Sequence, residues 1–218
     1  MAFSSPASPS SNTYESFDCT KLSPSEAYRL LTHCVAPRPI AFVSTLSPEG
    51  EPNLAPFSYF MAGGTHPPSV AFSPNTNRND QPKDTLRNIE ATGEYVINVV
   101  NYGMREGINL TAAELPYGVS EWDSAGFTPA PAVKVRPDRV AQSLIAMECR
   151  LYQIVPHGQG SAAANYVIGE VIYFHVAQHL FVNGEIDPTR VDYISRMGGD
   201  WYARANDASM FELRRPPK

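Results

Sequence analysis

Arg38-Pro39-Ile40-Ala41-Phe42-Val43-Ser44-Thr45, then Asn53-Leu54-Ala55-Pro56-Phe57-Ser58, then Lys83-Asp84-Thr85-Leu86-Arg87-Asn88: these stretches lie between Ala36 and Asn101 and decide how the chain is read. In the first, Ile40 to Thr45 is apolar and β-branched, which predicts a strand. Pro48-Glu49-Gly50-Glu51 then predicts the turn of a hairpin. The returning segment, Pro52 to Met61, mixes apolar residues with Asn53, Pro56 and Ser58. A proline has no N–H to give a ladder, so this segment is not a plain central strand but reads as an irregular edge strand that faces a ligand, or as a surface loop. In the third stretch Leu86 and Ile89 share a helical face, Asp84 is the expected N-cap and Gly93 the C-terminal stop.

The flanking chain reads mainly β. Ser23-Pro24-Ser25-Glu26 predicts a helix start, with Ser23 as N-cap and Glu26 completing a capping box. Pro37 and Pro39 end that helix. Ser69 to Ser73, Tyr95 to Asn101, Val140 to Val155 and Tyr166 to Val176 read as strands. Met104 to Glu114 reads as a helix, and Phe181 to Glu185 as a hairpin or bulge. Pro74 to Pro82 and Tyr117 to Pro131 read as loops. Twenty prolines and fourteen glycines supply the turns that many short strands need. A closed β-barrel with short helices is the expected architecture. Residues 1–19 are expected to be a flexible tail and 20–218 the folded domain.

A formal charge of −5 argues against a general nucleic-acid or anionic-membrane binder, so an anionic ligand needs a local basic site. No apolar run has the length of a membrane-spanning helix. Cys19, Cys34 and Cys149 are few and widely spaced, which points to a reducing, cytoplasmic setting.

A helix N-terminus offers unpaired N–H groups and the positive end of the helix dipole. Here Lys83 adds a charge and Thr85 a hydroxyl, while Ser44, Thr45 and Ser73 lie at strand ends that a barrel brings near. The alternative is that Asp84 and Thr85 merely cap a surface helix. Gly158-Gln159-Gly160-Ser161-Ala162-Ala163 fits a loose dinucleotide pattern, but Tyr166 starts a strand too soon for a helix to open there. His175 and His179 have the spacing of metal ligands on a helix, yet on a strand they lie far apart for one ion. No metal site and no nucleophile elbow is read. Tyr59, Phe60, Trp201 and Tyr202 read as core.

Together the three stretches resemble the flavin reductase-like family of FMN-binding split-barrel proteins, and within it the branch that includes flavoredoxin. Asn109-Leu110-Thr111-Ala112-Ala113, Gly169-Glu170-Val171 and Arg196-Met197-Gly198-Gly199 add to the likeness, which spans roughly Thr20 to Arg204. The resemblance implies a Greek-key split β-barrel that forms a homodimer with FMN near the interface. It implies that Ala55, Pro56, Phe57 and Ser58 border the flavin ring, largely through backbone groups. Ser44, Thr45, Ser73, Lys83 and Thr85 then hold the ribityl chain and phosphate, with Asn53, Asp84, Arg38 and Arg196 as further cofactor-binding candidates, Asp84 only with its carboxylate turned to its own backbone N–H groups. It implies hydride transfer from NAD(P)H to flavin N5, which requires alignment rather than a protein acid or base, so no catalytic residue is expected. Electrons then pass to an acceptor or a partner protein. The same motifs suit an FMN-binding electron-transfer or storage protein without rapid NAD(P)H turnover. A heme-binding reading would need an axial ligand among His33, His66, His157, His175 and His179.

Overall fold

The computed structural model describes residues 13–77, 79–113 and 119–216. Of the expected tail, residues 1–12 fall outside that range. Residues 13–18 carry no regular element, and Cys19–Lys21 forms a 3-10 turn capped by Asp18. Glu114, Tyr117 and Gly118, from the expected helix end and loop, and Arg78 also lie outside the described residues.

The strands, in chain order, are β1 (Ala41–Leu46), β2 (Pro52–Phe57), β3 (Phe60–Thr65), β4 (Pro68–Phe72), β5 (Glu94–Val99), β6 (Pro129–Ala130) and β7 (Arg139–Val140). They continue with β8 (Ile145–His157), β9 (Ala164–Val176), β10 (Phe181–Val182), β11 (Glu185–Ile186), β12 (Tyr193–Arg196) and β13 (Tyr202–Ala205). The helices are α1 (Pro24–Cys34), α2 (Asp84–Thr92) and α3 (Arg105–Leu110). The Ser23–Glu26 capping box and the left-handed Gly93 at the end of α2 form as the sequence predicts. The expected Asp84 cap does not. Lys83 takes the N-cap position without a side-chain cap bond, and Asp84 is the first helical residue. The strand expected from Val140 breaks at Ser143, whose hydroxyl bonds the Val99 carbonyl, and β8 begins at Ile145.

Seven strands form one antiparallel sheet in the order β2-β1-β5-β8-β9-β4-β3. The segment read as an irregular strand from Pro52 to Met61 is two strands, at opposite edges of that sheet. Phe57 and Phe60 are three Cα steps apart, at most about 11 Å. In a flat sheet the outer strands would be roughly 29 Å apart. The sheet therefore rolls into a barrel whose edges approach at Ser58 and Tyr59.

β1 is buried on both faces, which accounts for its continuous apolar run. Ala41 and Val43 face the barrel interior with Phe57, Phe72, Tyr95, Ile97 and Cys149. Phe42 faces the other way, against Leu54, Met104, Ile108, Trp122 and Phe127. The apolar face of α2, Leu86 and Ile89, packs into the interior cluster, so its N-terminus is held at the rim. Gly169 on β9 is required by packing, because a Cβ there would overlap the Tyr95 hydroxyl.

Candidate functional site

A cleft of about 350 Å³ opens where β2 meets the start of α2. One wall is Asn53, Ala55, Pro56 and Phe57. The other is Lys83, Asp84, Thr85 and Arg87. The loop residues Asn77, Asn79 and Gln81 form one end, and Thr111 to Ala113 with Glu121 close the other.

Among the described residues β2 is an edge strand, paired with β1 alone. The Leu54 N–H donates to Glu121 Oε2 at 3.0 Å rather than to Ser44, its register partner. Antiparallel pairs alternate, so Pro52, Leu54 and Pro56 all turn their backbone groups away from β1. Two of them have no N–H and the third is taken by Glu121. This stretch of edge is therefore left without a free backbone N–H, which blocks pairing with a stray strand.

Behind this wall lies a buried polar network. Asn53 Nδ2 donates to Thr85 Oγ1 at 2.9 Å and to Thr45 Oγ1 at 3.3 Å. Asn88 Nδ2 donates to Thr45 Oγ1 at 3.0 Å. The network fixes the first turn of α2 against β1 and β2. Thr45 thus supports the site from a buried position without lining the cleft.

Lys83 and Asp84 are half-buried at the uncapped helix start. Burial raises the Asp84 carboxyl, and the neighbouring Arg87 and Lys83 charges pull it back in part. Burial also raises Glu121, against the pull of the Leu54 N–H, and Asp84 adds to the rise. The cleft therefore combines cations at the helix start with two carboxyl groups whose ionisation is resisted.

The other expected site residues lie elsewhere. Arg38 is buried in a corner between α1 and β12. Its guanidinium donates to the carbonyls of Thr32 (2.5 Å), Val35 (2.6 Å) and Met197 (2.9 Å), and Nε to Ser58 Oγ (3.3 Å). Its backbone exchanges hydrogen bonds with Arg196, whose own guanidinium stacks 4.5 Å from the Tyr202 ring. Ser44 faces the opposite side of β1 from Thr45 and donates to the Asp138 carbonyl at 2.5 Å. Ser73 joins the β4 end to β9, accepting from Asn165 N at 3.2 Å and donating to Asn75 Oδ1 at 3.1 Å. So Asn53, Ala55, Pro56, Phe57, Lys83, Asp84 and Thr85 come together at the cleft, and Arg38, Ser44, Ser58, Ser73 and Arg196 do not line it.

Glu121, Asn77, Asn79 and Gln81 line the cleft without having been read from the sequence as site residues. Glu121 carries no local signal, since its role depends on the distant Leu54 N–H. Trp201, read as core, is 77% exposed. His175 lies on β9 with Nε2 2.6 Å from Glu148 Oε1, and His179 lies in the next turn, Gln178–Leu180.

Comparison with known proteins fits this geometry. Residues 33–190 match the flavin reductase like domain. The chain belongs to the flavin reductase-like family. An uncharacterised protein of Halalkalibacterium halodurans is 39% identical over 197 residues, 89% of this chain and 93% of that one. The structure of nitrilotriacetate monooxygenase component B from Bacillus cereus is 36% identical with a TM-score of 0.87, covering 93% of this chain and 100% of that one. The 2-nitrobenzoate 2-nitroreductase of Pseudomonas fluorescens is 29% identical with a TM-score of 0.81, covering 93% and 96%. Flavoredoxin of Desulfovibrio vulgaris shares the fold at 20% identity and a TM-score of 0.70, covering 83% and 91%. The rolled sheet with approaching edges is the split barrel of this family.

Proposed function

We propose that the cleft binds FMN and that the protein is an NAD(P)H-dependent flavin reductase. The observation that carries this reading is the juxtaposition, across one cleft, of the α2 start with Lys83 and the β2 edge residues Asn53 to Phe57. Lys83 and the first-turn N–H groups suit a phosphate. The β2 carbonyls suit a ring N–H, and the Ala55 and Phe57 side offers apolar surface to a flat ring. When bound, the flavin supplies a hydride acceptor at N5 for the nicotinamide. The chain's part is to hold phosphate and ring at fixed positions and to keep one ring face open. No protein acid or base is assigned.

Likeness to component B of a monooxygenase favours a protein that hands electrons to a second component. A homodimer is part of the proposal. It is supported by exposed apolar groups on the barrel, such as Met61, Tyr152 and Phe174, and by Tyr28, Leu31 and Val35 on α1 and at its end. We place the protein in the cytoplasm, where the free thiols of Cys19, Cys34 and Cys149 stay reduced. No described helix is long and apolar enough to cross a membrane.

The test is titration of the protein with FMN, FAD and riboflavin by flavin fluorescence, followed by NADH and NADPH oxidation assays with each flavin. Tight FMN binding with nicotinamide turnover is expected. Binding without turnover on either nicotinamide would move the protein to the electron-transfer or storage class. Failure to bind any flavin would overturn the proposal.

A further inference from the structure

The turn between β8 and β9, including Gly158-Gln159-Gly160-Ser161-Ala162-Ala163, opens no helix and lines no part of the cleft. Yet it is tied closely to the loop that ends at Lys83. Thr76 carries most of the tie. Its N–H donates to the Ala163 carbonyl at 3.0 Å, and its own carbonyl accepts from Ala162 N at 3.3 Å. Its hydroxyl donates to the Gly160 carbonyl at 2.6 Å and accepts from Ala163 N at 3.0 Å. Asn165 adds bonds to Ser73 Oγ and to the Pro74 carbonyl, each at 3.2 Å.

Immediately after Thr76 the chain folds on itself. Asn77 Oδ1 accepts from the N–H groups of Asn79 (2.8 Å) and Gln81 (3.0 Å), and Asn77 N donates to the Gln81 carbonyl (2.9 Å). Asn77, Asn79 and Gln81 are the residues that form the loop end of the cleft. The loop is thus held at one end by α2 and at the other by the hairpin tip. Ala162 adopts φ 64°, a conformation unfavourable for a residue with a side chain. Its N–H bond to Thr76 helps to hold it there.

We infer that Thr76 is a positioning residue for the loop that forms one end of the cleft and leads into Lys83, the proposed phosphate contact, using the β8–β9 tip as a brace. This rests on the FMN reading above for its ligand, but not for its mechanics. The substitution Thr76→Ser retains the hydroxyl. The substitution Thr76→Val is nearly isosteric and removes it, while leaving both backbone bonds possible.

The experiment compares Thr76→Val and Thr76→Ser with the unmodified chain. It measures FMN and riboflavin affinity by fluorescence, and amide hydrogen exchange of residues 74–83 in ligand-free protein. Thr76→Val should weaken FMN about tenfold, the cost of the lost hydroxyl bonds, and leave riboflavin within about twofold. It should speed exchange in that loop, and Thr76→Ser should restore both readouts. Equal weakening of both flavins, or unchanged loop exchange in Thr76→Val, would overturn the assignment. If the unmodified chain binds neither flavin, the FMN reading fails, while the exchange result still decides whether Thr76 braces the loop.

Discussion

Arg38 and Lys83 are both cations in stretches that suggested an anion site, and the structure gives them opposite situations. Arg38 is buried, and its donors are met by the carbonyls of Thr32, Val35 and Met197 and by Ser58. Lys83 is half-buried at a helix start, in the N-cap position, and its side chain makes no cap bond. The acids repeat the contrast. Glu148 is wholly buried, and burial works to raise it. The His175 contact and the Val133 and Lys134 N–H bonds outweigh burial and hold it below its ordinary value of 4.5. Glu121 has the Leu54 N–H as its long-range donor, lies near Asp84, and is raised. A charge whose hydrogen-bonding capacity is spent on backbone groups is a staple. A charge left with capacity at a cleft is available to a ligand.

The largest effect expected from this contrast is on stability. Arg38→Met leaves buried carbonyls without a donor and should cost about 3 kcal/mol in chemical denaturation. Lys83→Ala should change stability by under about 0.5 kcal/mol, as substitutions away from buried networks do. Similar losses in the two variants would erase the distinction between staple and site.

Ligand binding reverses the order. Lys83→Ala should weaken FMN by about tenfold or more, the value of a bond to a charged group, and leave riboflavin nearly unchanged. Equal loss for both flavins would remove Lys83 from the phosphate.

The glutamates give the next test, read from stability against pH. Because the folded Glu148 value is depressed, its contribution is present above pH 4.5 and is lost as pH falls through the folded value. Glu148→Gln should cost about 2 kcal/mol at pH 7, where an amide N–H₂ would face backbone donors, and should flatten the acid limb. An unchanged acid limb would show that Glu148 does not titrate with unfolding.

The smallest effect belongs to Glu121. Its raised value means that its contribution is present below pH 4.5 and is lost as pH rises through the folded value. Glu121→Gln keeps an acceptor for Leu54 N and should match or exceed the unmodified chain at pH 7, by up to about 1 kcal/mol. A clear loss at pH 7 would mean that the carboxylate charge itself stabilises the wall.

Much of the fold was legible in the chain. The β-branched run at Ile40–Thr45, the Ser23–Glu26 capping box and the Gly93 stop depend on neighbours a few residues away, and each appears where local chemistry places it. Pro56 correctly signalled an edge. It could not signal that the chain leaves one edge at Phe57 and joins the other at Phe60, because that depends on the rolling of the whole sheet. The site divided in the same way. Asn53, Ala55, Pro56, Phe57, Lys83, Asp84 and Thr85 were read from motifs and line one cleft. Ser44 and Thr45 are neighbours in sequence, yet strand alternation sends one to the Asp138 carbonyl and the other to the Asn53–Asn88 network.

The strand at Ile40–Thr45, the starts and stops of α1 and α2, the proline-marked edge and the helix start beside a lysine were set locally, because they arise from propensity, capping and missing N–H groups within a few residues, whereas the short strands β6, β12 and β13 carry no such signal. Which polar groups are consumed depends on the folded chain. Arg38 meets Met197 across 159 residues, Glu121 meets Leu54 across 67, and Thr76 meets Gly160 across 84. Hydrogen bonds saturate, so the availability of a donor or acceptor is known only when its distant partners are in place.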